Sequence, residues 1–291
     1  MRSRLAPAAV RGLATLCRKL GWREAQALGR GIGHLGWWLA RRDRTRTLEH
    51  LALALPEIGA ADRKRLARRV FAHFGALLGE CLHLSDKSCV EVERHVELEG
   101  WERVEALRAA GRQVLVVTGH CGNWELLAAA INCRGLGMAV VGRQLENPRF
   151  DALLLALRER FGTRTIQRGR PGAARELLRA VRGGSALGLL IDQDTAVEGV
   201  WVPYFGRLAF TPSGAADLAL RFGLVPVPAF IERRPDGSHL ARFEPPLDLP
   251  SDPTAATARM TERIEAQVRR RPEQWPWFHR RWRRQPPEPA A

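Results

Sequence analysis

Hydrophobic residues follow two different spacings along this chain, and the change lies near Glu93. Before it, apolar side chains recur every three or four positions, which is the spacing of helices that bury one face. This spacing predicts helices within residues 5–54 and one longer helix over residues 60–84. After it, short apolar runs alternate with helical segments, so the rest of the chain combines strands with helices.

The apolar runs beyond Glu93 predict five strands, at Gln113–Val117, Met138–Val141, Ala186–Ile191, Val225–Ile231 and His239–Phe243. Helices are predicted between and after them, at Trp124–Asn132, Arg149–Phe161, Gly172–Val181, Ser213–Phe222 and Thr254–Arg271. Strands that alternate with helices of this length form βαβ units. We therefore expect an α/β fold, with a central, mostly parallel or mixed sheet flanked by helices. Ligands of such a sheet bind at the carboxyl ends of its strands.

Composition divides the chain into a helical region at residues 1–58, a main domain at 59–284 and a proline-rich tail at 285–291. We expect the tail to fray. Residues 1–50 hold 11 basic and three acidic residues, a net +8 out of a total of +15. Such a basic segment attracts anionic partners, and lipid headgroups are one class of them.

The helical region also contains the pair Trp37-Trp38, flanked by arginines, which is the composition of a helix at a membrane interface. Its longest uncharged stretch, Gly31–Ala40, has 10 residues, whereas a membrane-spanning helix needs about 20. We expect this region to lie on an anionic membrane surface. The alternative is that both tryptophans pack on the main domain.

The chain has five cysteines, an odd number, and no C-x-x-C spacing. This pattern argues against a disulfide framework and against a structural zinc site. It predicts a reducing compartment, the cytosol or the cytosolic face of a membrane. The cysteines are Cys17, Cys81, Cys89, Cys121 and Cys133.

The candidate chemistry lies where the predicted strand ending at Val117 enters a glycine-flanked turn that carries His120. Asn123 is placed to cap the following helix, and Glu125 falls in its first turn. A neutral imidazole can take a proton from a hydroxyl group near pH 7. Glu125 could accept a hydrogen bond from the other ring nitrogen and so orient the base. The alternative is a purely structural His–Glu pair.

The segment Gly119–Glu125, read as GHCGNWE, resembles the H-x4-D/E block of glycerolipid and lysophospholipid acyltransferases. Its GH-x-GNWE form is similar to that of the late acyltransferases of lipid A biosynthesis. Further segments resemble that family in the same order, over roughly residues 40–284; they are Leu189–Asp194, Val202–Gly206, Thr211-Pro212, Leu218–Arg221 and Pro272–Trp282.

The resemblance implies that residues 59–284 form an acyltransferase domain that needs no cofactor or metal. The acyl donor would be a thioester of acyl carrier protein, and the acceptor a hydroxyl group of a lipid A precursor at the cytosolic face of a bacterial inner membrane. His120 would act as general base, oriented by Glu125. Backbone N–H groups of the turn or a nearby arginine would stabilise the oxyanion.

The resemblance also nominates substrate-binding residues, namely Asn123, Arg143, Arg168, Asp192, Gln193 and Asp194. The two arginines could grip a phosphate group of the acceptor through their planar guanidinium groups. The Asp-Gln-Asp segment could bind sugar hydroxyls or brace the His120 turn.

Two alternatives to this function remain open from the sequence. The same chemistry could serve another glycolipid, such as a phosphatidylinositol mannoside. A basic nucleic-acid-binding protein would explain the charge of +15 and the aromatic, arginine-rich end. It would leave the turn at His120 unexplained, so we expect no nucleic-acid partner.

Overall fold

The computed structural model describes residues 7–286. The 11 α-helices of this part of the chain are α1 Pro7–Lys19, α2 Trp22–Leu39, α3 Arg41–Ala54, α4 Ala60–Leu84, α5 Cys89–His95, α6 Trp101–Ala109, α7 Trp124–Cys133, α8 Pro148–Arg160, α9 Ala173–Arg182, α10 Gly214–Phe222 and α11 Pro253–Arg270. A short 3₁₀-helix follows at Pro272–Gln274. The tail prediction falls mostly on residues 287–291, which lie outside the described residues.

The strands are β1 Val96–Glu99, β2 Val114–Thr118, β3 Ala139–Arg143, β4 Arg164–Arg168, β5 Leu187–Leu190, β6 Gly199–Tyr204, β7 Arg207–Pro212, β8 Val225–Arg233 and β9 His239–Phe243. Seven of them form one sheet in the order β1-β9-β8-β2-β5-β3-β4, while β6 and β7 form a separate hairpin. All neighbours in the large sheet are parallel except β8 and β9. The predicted α/β fold with a mostly parallel, mixed sheet is confirmed.

Strands β1, β4, β6 and β7 are absent from the five strands that the apolar runs predicted. In β1 only Val96 is buried while Glu97 and Glu99 are exposed, so this edge strand lacks the apolar run used to find the others. Hydrophobic runs identify strands that are covered on both faces, and they miss edge strands and hairpins.

Both faces of the large sheet are covered, and strand β2 shows this directly. Leu115 and Val117 belong to one hydrophobic core, and Val114 and Val116 belong to the core on the other face. Successive side chains of a strand point to opposite faces, so a fully apolar strand must be buried on both sides.

Helix α2 packs tightly along α4 through glycines on both helices. A Cβ atom added at Gly33 would lie 2.1 Å from the Phe71 carbonyl oxygen, and one added at Gly29 would lie 2.2 Å from that of Gly75. The glycines therefore let the two backbones come into contact, as small residues do in closely packed helix pairs. In this way the helical region shares a core with the main domain, and the proposed boundary at residue 58 stays a prediction.

The two adjacent tryptophans of α2 differ in their exposure to solvent. Trp37 is 3% exposed and meets the Phe71 ring edge to face at 5.6 Å, whereas Trp38 is 63% exposed. For Trp37 the interfacial prediction is therefore wrong, because its ring faces α4. No helix among residues 7–286 combines the length and the apolar character needed to cross a membrane.

The expectation of unpaired cysteines is wrong at one position. Cys89 and Cys133 form a disulfide, with Cα atoms 5.5 Å apart and a sequence separation of 44 residues. Cys89 begins α5 and Cys133 ends α7, and these helices pack against each other. Cysteine spacing along the chain cannot reveal this proximity. Because two of the five cysteines are bonded to each other, the cysteine pattern no longer supports a reducing compartment.

Candidate active site

His120 lies in the turn between the carboxyl end of β2 and the first residue of α7. The turn is tight because Gly119 has no side chain: a Cβ atom there would lie 3.1 Å from the carboxyl group of Asp192. Asp192 follows β5, the parallel neighbour of β2. The carboxyl ends of these two strands thus bring the imidazole and the carboxylate together, at the edge of the sheet where the sequence predicted a site.

Asp192 holds the imidazole of His120. The distance from Nδ1 to Oδ1 is 2.7 Å, and the backbone N–H of His120 donates to Oδ2 at 2.8 Å. The indole Nε1 of Trp275 donates to the same Oδ2 at 2.8 Å. Burial alone would raise the pKa of Asp192, but the charge of His120 and these hydrogen bonds lower it to about 2. The carboxylate is therefore ionised, Nδ1–H donates to it, and Nε2 keeps the lone pair that a general base needs.

Glu125, the predicted orienting residue, faces elsewhere. Its carboxylate accepts two hydrogen bonds from Arg158, at 2.6 and 2.8 Å, and one from the Trp124 indole at 2.9 Å. Burial lowers the pKa of Arg158, but the bonds and charge of Glu125 outweigh this and raise it. The prediction that Glu125 orients His120 is wrong for this geometry, because the second residue of α7 points toward α8 and the Nδ1 side of the ring faces Asp192.

Asn123 caps α7, as predicted, by accepting the Leu126 N–H at 3.1 Å. It is fully buried and donates to Glu80 at 2.8 Å, so this geometry gives its predicted substrate contact no support. Cys121 is also buried, and burial together with the charge of Asp192 raises its pKa well above the ordinary value. A thiol in this environment stays protonated and is a poor nucleophile.

The two aspartates of the Asp-Gln-Asp segment are buried and hydrogen-bonded within the fold. Asp194 is buried and accepts hydrogen bonds from Arg283 at 3.0 Å and from the backbone N–H of Arg284 at 3.2 Å. Asp192 is 0% exposed. Of the two roles that the sequence left open, sugar binding and bracing of the His120 turn, Asp192 has the second, whereas Asp194 instead holds Arg283 and Arg284. Gln193 is half-buried between the two aspartates, and its predicted substrate contact stays a prediction.

Arg143 and Arg168 end the neighbouring strands β3 and β4 and are paired in register. Arg143 is exposed, and Arg168 is half-buried and donates to Thr195 Oγ1 at 3.2 Å. Burial and the positive charge of Arg143 lower the pKa of Arg168. Two guanidinium groups that repel each other at the rim of a site are suited to an anion, because an anion relieves the repulsion.

The aromatic segment near the end of the chain packs into the core. Trp275, Trp277 and Arg281 are each 0% exposed, and Arg281 donates to Thr211 Oγ1 at 2.5 Å. These three side chains therefore contribute to the core. Sequence reasoning assigned no site role to Arg158 or Trp275, although Trp275 lies in one of the segments that resemble the family.

A narrow apolar cavity lies behind the turn, between the sheet and helices α7 and α8. Its volume is about 30 Å³, and Glu125 and Arg158 form its polar part. Apolar residues line the rest, among them Val116, Leu127, Ala128, Ile131, Met138 and Val140. Among residues 7–286, no group of three or more histidine, cysteine or acidic side chains is arranged to hold a metal ion.

Comparison with known proteins identifies the family of this chain. The family model for bacterial lipid A biosynthesis acyltransferases matches residues 6–284. This chain belongs to that family. It is accordingly an acyltransferase, and the His120 turn, the Asp192 segment and the Trp275 segment all lie inside the matched region.

Individual relatives support the assignment at low identity over most of the chain. A lipid A biosynthesis acyltransferase of Haemophilus influenzae is 27% identical over 253 residues, covering 84% of this chain and 78% of the relative. The lipid A biosynthesis myristoyltransferase of Escherichia coli is 27% identical over 279 residues, covering 94% and 84%. A phosphatidylinositol mannoside acyltransferase of Mycobacterium tuberculosis is 25% identical over 188 residues, covering 63% and 58%.

Proposed function

We propose that this acyltransferase moves a fatty acyl group from a thioester of acyl carrier protein to a hydroxyl group of a lipid A precursor. The observation that carries the proposal is the His120–Asp192 pair at the carboxyl end of β2, with Nδ1 and Oδ1 2.7 Å apart. His120 is the general base. Asp192 takes the orienting role that the sequence suggested for Glu125.

In the proposed reaction, His120 Nε2 accepts the proton of the acceptor hydroxyl as its oxygen attacks the thioester carbonyl carbon. The new C–O bond forms, the C–S bond breaks, and the thiolate that leaves receives the proton from the imidazolium. Asp192 stabilises the imidazolium between these two steps. No covalent enzyme intermediate is needed, which agrees with the buried, protonated thiol of Cys121.

The oxyanion needs hydrogen-bond donors that are not already engaged in the fold. The N–H groups of His120 and Gly122 donate to Asp192 and to the Gln274 carbonyl oxygen. They are therefore poor candidates for the donors that the sequence suggested. The first amides of a helix have no intrahelical partner, so those of Trp124 and Glu125, at the start of α7, are the better candidates.

We place the acyl chain in the apolar cavity between β2, β3 and α7. Trp124 and Glu125 line this cavity together with aliphatic side chains. At about 30 Å³ it has room for about one water molecule. Helices α7 and α8 must therefore move apart to admit an acyl chain.

The lipid A acceptor is favoured because the relatives named for lipid A match a larger share of this chain. The relatives named for lipid A cover 84% and 94% of this chain, whereas the relative named for phosphatidylinositol mannoside covers 63%. Arg143 and Arg168 would hold a phosphate group of the acceptor. The mannoside remains the second candidate acceptor.

An exposed ridge on α2 supports binding to an anionic membrane at the cytosolic face of the inner membrane. Leu35, Trp38 and Leu39 are 57%, 63% and 73% exposed, and arginines 41 and 42 follow directly. A series of ring contacts connects the buried neighbour Trp37 to His120, through Phe71, Phe278, Phe74 and Trp124. The ridge and the base therefore belong to one packed unit.

Acyl transfer from labelled acyl carrier protein to a tetra-acylated lipid A precursor in detergent micelles tests the function. We expect the wild type to label the lipid, and His120→Ala to lose about a hundredfold or more, the usual contribution of a general base. His34→Ala, an exposed histidine of α2, is the matched control. Full activity in His120→Ala would overturn the mechanism, and transfer only to a mannoside would change the acceptor.

Flotation with vesicles tests the membrane proposal separately. Replacing Leu35, Trp38 and Leu39 by serine should reduce binding to anionic vesicles about tenfold or more, since roughly 1.5–3 kcal/mol of burial is lost for each large side chain that inserts. Leu178→Ser, at an exposed leucine of α9, is the control. Equal binding of the triple variant and the wild type would mean that the ridge does not contribute to membrane binding.

A further inference from the structure

The turn that carries His120 is held from outside the site. Gly122 has a φ of +64°, and a Cβ atom there would lie 1.8 Å from the Ile231 carbonyl oxygen. The turn therefore depends on neighbouring elements for its shape. The N–H of Gly122 donates to the Gln274 carbonyl oxygen at 2.9 Å, and this bond holds the amide group of Gly122 in place.

The carbonyl group of Gly122 faces His73 of α4. The His73 Nε2 atom lies 3.3 Å from the Gly122 carbonyl oxygen, and its Nδ1 atom lies 2.6 Å from Nη1 of Arg233. A guanidinium group can only donate hydrogen bonds, so Nδ1 must be the acceptor. The ring proton is then on Nε2, and it points at Gly122.

Arg233, at the end of β8, is itself fixed. Its guanidinium group makes two hydrogen bonds to Glu80, at 2.5 and 2.8 Å. The side-chain amide of Gln274 bonds the Arg233 backbone on both sides, accepting from N–H at 2.8 Å and donating to C=O at 2.9 Å. An arginine held in this way presents one defined donor to His73.

Glu80 reaches the turn by a second route. Its Oε2 accepts from the side chain of Asn123 at 2.8 Å, and Asn123 caps α7. Glu80 is therefore linked to Gly122 through Arg233 and His73, and it bonds Asn123 directly. These two consecutive residues lie between His120 and Glu125. Glu80 and Asn123 are 0% exposed and His73 is 5% exposed, so water does not compete for these bonds.

We infer that His73 is a positioning residue for acyl transfer: Arg233 holds it in the Nε2–H tautomer, and it donates to the Gly122 carbonyl oxygen to fix the turn that carries His120. It acts through the backbone and does not touch the reacting atoms. Burial, followed by the charge of Arg233, lowers the pKa of His73 well below its ordinary value, which agrees with a neutral ring. The kinetic part of this inference rests on the proposed function.

The kinetic test compares His73→Leu with His73→Gln. Leucine removes both bonds, whereas the glutamine amide keeps one acceptor for Arg233 and one donor for Gly122. We expect kcat of His73→Leu to fall on the order of a hundredfold with KM nearly unchanged, as when a catalytic group is displaced slightly. His73→Gln should recover most of kcat. Equal losses in both variants, or an unchanged kcat in a folded His73→Leu, would overturn the inference.

His83→Leu is the matched control. His83 lies on the same helix and is 3% exposed, but it contacts the Cys17 carbonyl oxygen and Glu91 instead of the turn. It should lose stability to a similar extent while kcat stays within about threefold of the wild type, a shift of roughly 0.6 kcal/mol. A kcat loss in His83→Leu equal to that in His73→Leu would mean that general destabilisation explains both.

A second measurement needs no activity and no destabilising variant. ¹⁵N NMR of histidine-labelled wild type near pH 7 should show a His73 ring with a protonated Nε2 and an unprotonated Nδ1, assigned by its loss in His73→Gln. An Nδ1–H tautomer or a charged ring would overturn the inference. A wild type that transfers no acyl group to any acceptor would instead refute the proposed function, and the NMR result would still decide the tautomer.

Discussion

The contact between His120 Nδ1 and Asp192 Oδ1, at 2.7 Å, is the basis of the proposed chemistry. A histidine alone can act as a base, but it can present either ring nitrogen to a substrate. An ionised carboxylate on one nitrogen selects the tautomer and stabilises the charge that develops on proton transfer. Asp192 can do this because the charge of His120, together with hydrogen bonds from the His120 ring, the His120 amide and Trp275, lowers its pKa to about 2 despite complete burial.

The Asp192→Asn substitution tests this role. An asparagine amide could present N–H to Nδ1 and favour the wrong tautomer, so we expect kcat to fall about a thousandfold or more. Asp151→Asn is a control at a carboxylate that is also buried but accepts from the Leu145 N–H. Steady-state acyl transfer measures both variants. A kcat within tenfold of the wild type in Asp192→Asn would return the orienting role to another residue, with Glu125 as the first candidate.

At the scale of elements, two packed helices support the catalytic turn. Helix α4 supplies His73 and Glu80 to the turn, and α2 covers α4 along a seam of glycines. Because the backbones are in contact there, even one methyl group at the seam must push the helices apart. The helical region thus contributes to the fold of the catalytic domain, in addition to any membrane role.

Gly33→Ala and Gly31→Ala provide a matched pair on α2. A Cβ atom at Gly33 meets the Phe71 carbonyl oxygen at 2.1 Å, whereas one at Gly31 meets nothing within 4 Å. We expect Gly33→Ala to lower the free energy of unfolding by about 1–3 kcal/mol. Gly31→Ala should raise it by up to about 1 kcal/mol, because alanine favours helix. Urea unfolding measures both, and equal changes would show that the seam is not close-packed.

At the scale of the whole molecule, buried ionisable groups make stability depend on pH. Burial lowers the pKa of His239 and of His279 to about 4, and Asp192 and Glu80 have pKa values of about 2. All four values lie below those of the unfolded chain, so unfolding takes up protons. Acid therefore favours the unfolded state, through the histidines first and the carboxylates at lower pH.

We expect the free energy of unfolding to fall as pH decreases from 6.5 to 4, the window of the two histidines. Each histidine can add up to about 1.4 kcal/mol per pH unit to the slope. His239→Gln should reduce that slope because the glutamine side chain does not titrate. This holds whatever the substitution does to stability at pH 7. Urea unfolding at several pH values measures this. An unchanged slope in the variant would mean that His239 is not neutral in the folded protein.

Much of the fold was accessible from the sequence because strands covered on both faces are continuously apolar. His239–Phe243 was predicted with its observed bounds, and Val225–Ile231 was missing only the last two residues of β8. The edge strands β1 and β4 and the hairpin β6–β7 were missed because half-exposed strands give no continuous apolar run. For the site, the turn and His120 were found by local spacing, since a strand, a glycine turn and a capped helix are consecutive in the chain.

The sequence alone determined the longer helices of the main domain and the central strands, the family, and the position of His120 at a strand end. Tertiary structure decided the partners: Asp192 on His120, Arg158 on Glu125, and Cys133 on Cys89. The physical reason is the range of the interactions. Periodicity and capping act within a few residues, whereas each of these pairs joins side chains 33 to 72 positions apart, brought together only by the packing of helices and strands.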